Sequence, residues 1–217
     1  MEFMDLEKLI KGRRSIRCWQ DKEIPAELLL KAIKLATWAP NGGNQQIWHF
    51  YVIVNRGTIT SIADAVQASA VQIAPWLEAD GFKADADRMR ERASLFRSAP
   101  AAIAVGAGQY QSLLDQVLAA RGKIDPQAEQ IYGWRKIANS RIQSVASSIA
   151  YLLLILHQMG LGALWMTGPM QAKGEIEKIL KVPAELDIIA FIPVGYPAES
   201  PAPKERRPIE EVCEVVR

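Results

Sequence analysis

Apolar residues recur at three- and four-residue spacings in some stretches and gather into short β-branched or aromatic runs in others, and the two patterns interleave. Leu6, Leu9 and Ile10 share one face of a short helix predicted over 5–11, which Gly12 ends. Pro25 suits a first helical position and opens a helix to about residue 38, with Leu28, Leu29, Ala32, Ile33, Leu35 and Ala36 apolar. Residues 58–70 read as helical. So do 76–97, with Asp85, Asp87, Arg88, Arg90, Glu91 and Arg92 on a solvated face; a plain surface helix is favoured there over a mobile cover above a site. Pro126 starts one long helix read through to Met159, on Ile137, Val145, Ile149, Leu152, Leu153 and Leu156. Its second half is apolar on nearly all sides, so it needs cover from its own sheet and from a partner subunit. Ala146, Ser147 and Ala150 are small enough for close helix approach. Gly160 and Gly162 stop it, and 173–180 form a further helix.

Strands are predicted over 49–54, 100–107, 163–166 and 187–196. Residues 40–46 are punctuated by Pro and paired Gly and read as a loop. The tail is proline-rich from Pro197 to Pro208, after which Val212, Val215 and Val216 are placed to add an edge strand. There is no internal repeat and no linker. Helices and strands interleave in one domain over 1–217, so the class is mixed α/β or α+β.

Composition narrows the class. At 217 residues the chain can build one substantial core, and 49% hydrophobic with 23% charged residues is the balance of a soluble globular protein. A net charge of +2 gives no global field for nucleic acid. Cys18 and Cys213 read as unpaired thiols; no CxxC or Cys/His cluster suggests zinc or iron–sulfur, and no metal site is expected. Residues 1–10 carry Glu2, Asp5, Glu7 and Lys8, unlike a secretory signal, so a reducing cytoplasm is expected. The longest apolar stretch, 149–156, falls far short of the roughly 20 residues that span a bilayer.

Chemistry concentrates in a few segments. Arg13-Arg14-Ser15-Ile16-Arg17 packs three guanidinium groups into five residues. Folding alone does not favour that; an anion relieves it, and arginine offers planar multidentate donors to phosphate oxygens. Lys204-Glu205-Arg206-Arg207 is a second basic cluster, near the other end. If the fold joins the two ends, they make a phosphate site; taken singly, each reads as a solvated basic segment. The 40–46 loop offers amides and backbone N–H groups suited to the edge of a heteroaromatic ring or a ribityl chain. Gly160-x-Gly162 follows a helix and precedes a strand, the reverse of a dinucleotide fingerprint, and no GxxxxGK(S/T) or GxSxG occurs. His49 and His157 read as structural, and no side chain is assigned as a catalytic acid or base.

Three separated parts then resemble the nitroreductase family of flavoenzymes. Residues 13–17 look like its N-terminal phosphate motif. Residues 39–50, Ala-Pro-Asn-Gly-Gly-Asn-Gln-Gln-Ile-Trp-His-Phe, look like its A-P-S-x-x-N-x-Q-P-W-x-F segment. Gly160-Leu-Gly-Ala-Leu-Trp165, Pro193-Val-Gly-Tyr-Pro197 and Lys204-Glu-Arg-Arg-Pro208 look like its C-terminal half. Order and spacing agree over roughly 5–213. Ile47 stands where proline is usual, which loosens the loop; Asn41 stands where serine is common and keeps a polar contact.

The resemblance implies an α+β fold with a central mixed sheet wrapped by helices, and an intertwined homodimer with the long helix at its interface and two FMN sites across it. It implies that Arg13, Arg14 and Ser15 hold the phosphate with Lys204 and Arg206, and that Arg17 lies nearer the ribityl chain and the N1/C2 carbonyl end. Pro40, Asn41, Gly42 and Asn44 would come from the other subunit. Backbone at Thr167, Gly168 and Pro169 would face the flavin, and Gln67 is a further candidate. The tail, about 198–217, would extend along the partner. The implied activity is ping-pong hydride transfer from NADH or NADPH, through flavin N5, to a nitroaromatic, quinone or similar conjugated acceptor. The alternatives are a specialised substrate (reductive dehalogenation, flavin fragmentation or heterocycle oxidation) and a non-catalytic flavin carrier. No nucleic-acid or membrane partner is expected.

Overall fold

The computed structural model describes residues 6–217. Asp5, the expected start of the first helix, and the acidic Glu2 lie outside the described residues. The elements run α1 (Leu6–Gly12), α2 (Ala26–Ala36), β1 (Trp48–Ile53), α3 (Arg56–Ala79), α4 (Lys83–Arg92), β2 (Ala101–Ala107), α5 (Leu113–Arg121), α6 (Pro126–Ala138), α7 (Ser140–Gln158), β3 (Gly162–Ala163), α8 (Lys173–Leu180) and β4 (Asp187–Gly195).

The sheet runs β1-β2-β4-β3, and every ladder in it is antiparallel. The parallel component of the expected mixed sheet is a single bridge, Ser15 to Ala163. β2 is buried along its whole length, so both its faces carry apolar side chains. Ala101, Ile103, Val105 and Ala107 join Leu29 and Ala32 of α2 and Val145, Ile149, Leu152 and Leu156 of α7. Ala102 and Ala104 turn to the other face, against Ile59, Ile62 and Val66 of α3 and Ile176 of α8. A register shift between Val105 and Gly106 inserts one extra residue into β4. Ile188 therefore faces the second core while Ala190 and Ile192 face the first.

Several expectations are corrected. The helix read through 126–159 is two helices, because Asn139 adopts φ 42° and ψ 65° and its side chain accepts from Ile142 N at 3.2 Å, capping α7. Asparagine tolerates that left-handed backbone, and apolar periodicity does not register the break. The helix read over 58–70 continues to Ala79 through Pro75; the carbonyl four residues back belongs to exposed Val71, where water can serve it. α5 went unread, although Ser112 caps it by accepting from Asp115 N at 3.1 Å. No edge strand forms at 212–216. The tail makes only a short 3-10 turn over Ile209–Glu211, and Val215 and Val216 are exposed. The third strand shortens to Gly162–Ala163, with Met166 bridging Phe191. Among the described residues no helix is long and apolar enough to cross a membrane.

Candidate functional site

The two ends of the chain meet, and backbone hydrogen bonds hold them. Ile16 N donates to Ala163 O at 3.2 Å, Gln20 N to Tyr196 O at 2.9 Å, and Ala198 N to Cys18 O at 3.0 Å. The Glu199 carboxylate accepts from the backbone N–H groups of Arg17 and Cys18. Ile16 and Trp19 are buried together, and Trp19 Nε1 donates to Gly162 O at 2.9 Å. A side chain at Gly162 would bring its Cβ within 2.6 Å of Ile16 Cγ1, so only glycine lets this segment lie against β3.

With Ile16 and Trp19 anchored inward, the charged neighbours turn outward. Arg13, Arg14, Ser15 and Arg17 line one side of a cleft of about 640 Å³, and Lys204 and Arg206 line the other. Among the described residues no carboxylate pairs with any of these cations. Their guanidinium groups use backbone carbonyls instead: Arg14 Nη1 donates to Lys11 O at 2.6 Å and Arg13 O at 2.9 Å, and Arg206 Nη1 to Lys204 O at 3.3 Å. Burial, then the charges of Arg14 and Arg206, push the Arg13 pKa below the ordinary guanidinium value. The cluster thus carries unrelieved repulsion, and its donor set of guanidinium, ammonium and hydroxyl groups suits a phosphate dianion. His157, on the last turn of α7, was not expected here. Its Nε2 would lie 3.1 Å from a Cβ on Gly12. Burial, then Arg13 and Arg14, hold its pKa below the ordinary imidazole value.

The 40–46 loop lies elsewhere in the subunit. Gly42 N donates to Ser144 Oγ at 3.0 Å, and Ser147 Oγ to Pro40 O at 2.6 Å. Gln45 exchanges two hydrogen bonds with the backbone of Gln111, at 2.7 and 2.8 Å. Asn41 Oδ1 accepts from Gln46 N at 2.9 Å. Gly43, Asn44 and Gln46 have φ of 59°, 52° and 49°. A Cβ on Gly42 would approach the Tyr110 hydroxyl to 2.6 Å. The Ile47 carbonyl accepts from Gly108 N at 2.7 Å. At 1.5 Å per residue, Ser144 and His157 stand about 20 Å apart along α7. Loop and basic cleft therefore sit toward opposite ends of that helix.

Thr167 and Gly168 follow the Met166–Phe191 bridge and are exposed. Gly168 borders a second cleft, of about 550 Å³, formed with α3 and α4. Gln67 is not brought to the basic cleft. Its amide donates to Arg90 O at 2.9 Å and accepts from Ser94 Oγ at 3.0 Å, so it fastens α3 to α4 with both ends engaged. Tyr110, Ser144 and Ser147 position the loop; the first two were legible only as polar residues, and Ser147 only as a small residue for helix approach.

The Nitroreductase family model matches residues 10–196. The chain is 26% identical over 218 residues to an NADH dehydrogenase of Thermus thermophilus, covering 98% of this chain and 96% of that one. A BluB-like flavoprotein from Clostridium difficile 630 superposes with a TM-score of 0.84 at 27% identity, over 99% of this chain and 100% of the other. A solved iodotyrosine deiodinase bound to FMN and 3-iodo-L-tyrosine shares the fold, with a TM-score of 0.68 at 24% identity over 98% of each chain. The chain belongs to the nitroreductase family and is an oxidoreductase.

Proposed function

We propose that this oxidoreductase binds FMN, takes hydride from NADH or NADPH and passes two electrons to a conjugated acceptor such as a nitroaromatic or quinone, as a homodimer with a site at each end of its interface. The observation that carries this reading is the convergence of Arg13, Arg14, Arg17, Lys204 and Arg206 on one cleft without a compensating carboxylate. Arg13, Arg14, Ser15, Lys204 and Arg206 hold the phosphate. Arg17 stands nearer the ring, where a cation stabilises negative charge on the reduced isoalloxazine. Thr167 and Gly168 present exposed backbone beside the ring. The bound flavin supplies the hydride chemistry; the protein supplies grip, orientation and charge.

The second copy is argued from α7. Its outer face carries small or exposed residues, Ser147, Ala150 and Tyr151, and exposed Leu30, Leu35 and Trp38 lie on or just after neighbouring α2. Two such faces related by a two-fold axis set the 40–46 loop of one subunit over the basic cleft of the other. Pro40, Asn41, Gly42 and Asn44 then contact flavin across the interface, and the exposed tail beyond Arg206 runs along the partner.

The test is the visible spectrum of the purified protein before and after anaerobic NADH or NADPH. Flavin absorbance that bleaches with the donor and returns with an acceptor is the expected result, with parallel double-reciprocal lines in steady state. A colourless protein that FMN does not reconstitute, or a flavin-loaded monomer in sedimentation, overturns the proposal.

A further inference from the structure

Helix α4 does not present its charge only to solvent. Asp85, Arg88, Met89 and Arg92 fall at one-turn spacings along it, and all four line the cleft of about 550 Å³ beside Gly168. The remaining walls are largely apolar, with Val66, Leu77, Met166 and Pro169. The pose of the helix is set from its ends and its other side: Gln67 holds the Arg90 carbonyl, and Arg90 pairs with Glu78 at 2.7 Å and Asp87 at 3.1 Å. Ala86 is its one fully buried residue, so apolar burial does not explain why two arginines face an apolar cleft. Arg88 Nη2 is taken by Asp85 at 2.6 Å. Arg92 has no carboxylate partner among the described residues.

We infer that this cleft is the acceptor pocket and that it selects an aromatic acceptor bearing an anionic group, a carboxylate above all. The flat apolar body lies on the methionine, leucine and proline walls, and Arg92 takes the anion, with Arg88 in second place. The role in turnover rests on the flavin reading above, through Gly168, which borders the cleft where the ring is placed. The binding preference itself does not.

The test compares 4-nitrobenzoate with its uncharged methyl ester. Each turnover oxidises one NAD(P)H, and two electrons with two protons convert the nitro group to nitroso and water. Wild type should favour the acid over the ester in kcat/KM by about tenfold or more at low salt. Arg92→Gln should bring that ratio near one by lowering kcat/KM for the acid far more than for the ester, Arg92→Lys should keep part of the preference, and Arg88→Gln should lower it less. Stopped-flow reduction by NADH should be the same in wild type and Arg92→Gln; slowed reduction with normal reoxidation would assign Arg92 to the donor's phosphates and overturn the inference. Calorimetric titration with 4-nitrobenzoate separates the two readings. If the protein carries no flavin yet binds the acid in an Arg92-dependent way, the flavin reading fails and the anion pocket stands. If flavin bleaches normally but acid and ester bind alike, or Arg92→Gln binds the acid as wild type does, the pocket assignment is wrong and the flavin reading stands.

Discussion

The two clefts handle charge in opposite ways. At the chain-end cleft six cations converge, and only Lys11, held by Glu7, has a carboxylate partner among the described residues. Along α4 two of the three arginines are matched, Arg88 by Asp85 and Arg90 by Glu78 and Asp87. Such exposed pairs add little to stability, and only Arg90–Glu78 crosses from α4 to α3. Unmatched cations repel, and the fold keeps them together only because strand-edge hydrogen bonds and the buried Ile16–Trp19 pair force the chain ends to meet. Uncompensated charge on a rigid frame marks a ligand; compensated charge marks packing. Of the two arginines lining the second cleft, Arg92 is the unmatched one, which is why an anion is inferred there.

The largest effect should come from removing one unmatched cation. Arg13→Ala loses charge-assisted hydrogen bonds of about 1.5–3 kcal/mol each, so FMN affinity should drop at least tenfold. Arg90→Ala, which breaks only matched pairs, should leave FMN affinity unchanged. Fluorescence of released flavin on dilution reads both, and equal losses would break the contrast between the clefts. Next in size is the frame. Gly162→Ala forces Cβ against Ile16 and should destabilise the protein by about 1–3 kcal/mol, while loosening FMN because the arginine segment shifts. Adding Ile16→Ala should recover part of that loss; strictly additive melting temperatures would show that the two residues do not press on each other.

Chemistry-bearing segments were more legible in the sequence than the elements between them. Arg13 to Arg17 and Lys204 to Arg207 stand out because clustered cations oppose folding, and the expectation that they meet corresponds to the geometry found. β2, α8 and β4 followed from apolar runs and periodicity within a residue or two. The break at Asn139 was hidden because apolar spacing continues across it; only a left-handed backbone reveals it. The inward stripe of α4 was hidden for a different reason. A charged helix gives no apolar face to orient, so tertiary partners such as Gln67 decide which way Arg88 and Arg92 point. His157 was assigned to the apolar helix, correctly, but its contact with Gly12 joins residues too far apart in sequence for spacing to reveal.

His157 supplies the smallest and most discriminating effect. Gly12, Arg13 and Arg14 face it from the N-terminal segment, and the C-terminal end of α7, whose dipole favours the protonated ring, opposes them. Burial and the two arginines prevail and hold its pKa below the ordinary value of about 6.5. Between the lowered folded value and about 6.5 the unfolded chain binds more protons than the folded one. Stability is therefore full above about 6.5 and is lost as pH falls through the folded value. The ring is only partly buried, so solvent screens the effect and the loss is small. A dianion on Arg13 and Arg14 cancels their field and lifts the imidazole back toward its usual range, so bound FMN should reduce the acid loss. Melting temperatures at pH 7 and 5.5, with and without FMN, should show a flavin-dependent difference in wild type that His157→Gln abolishes. The same difference in both proteins would mean that the imidazole does not sense the arginine cluster, and that the anion is held elsewhere.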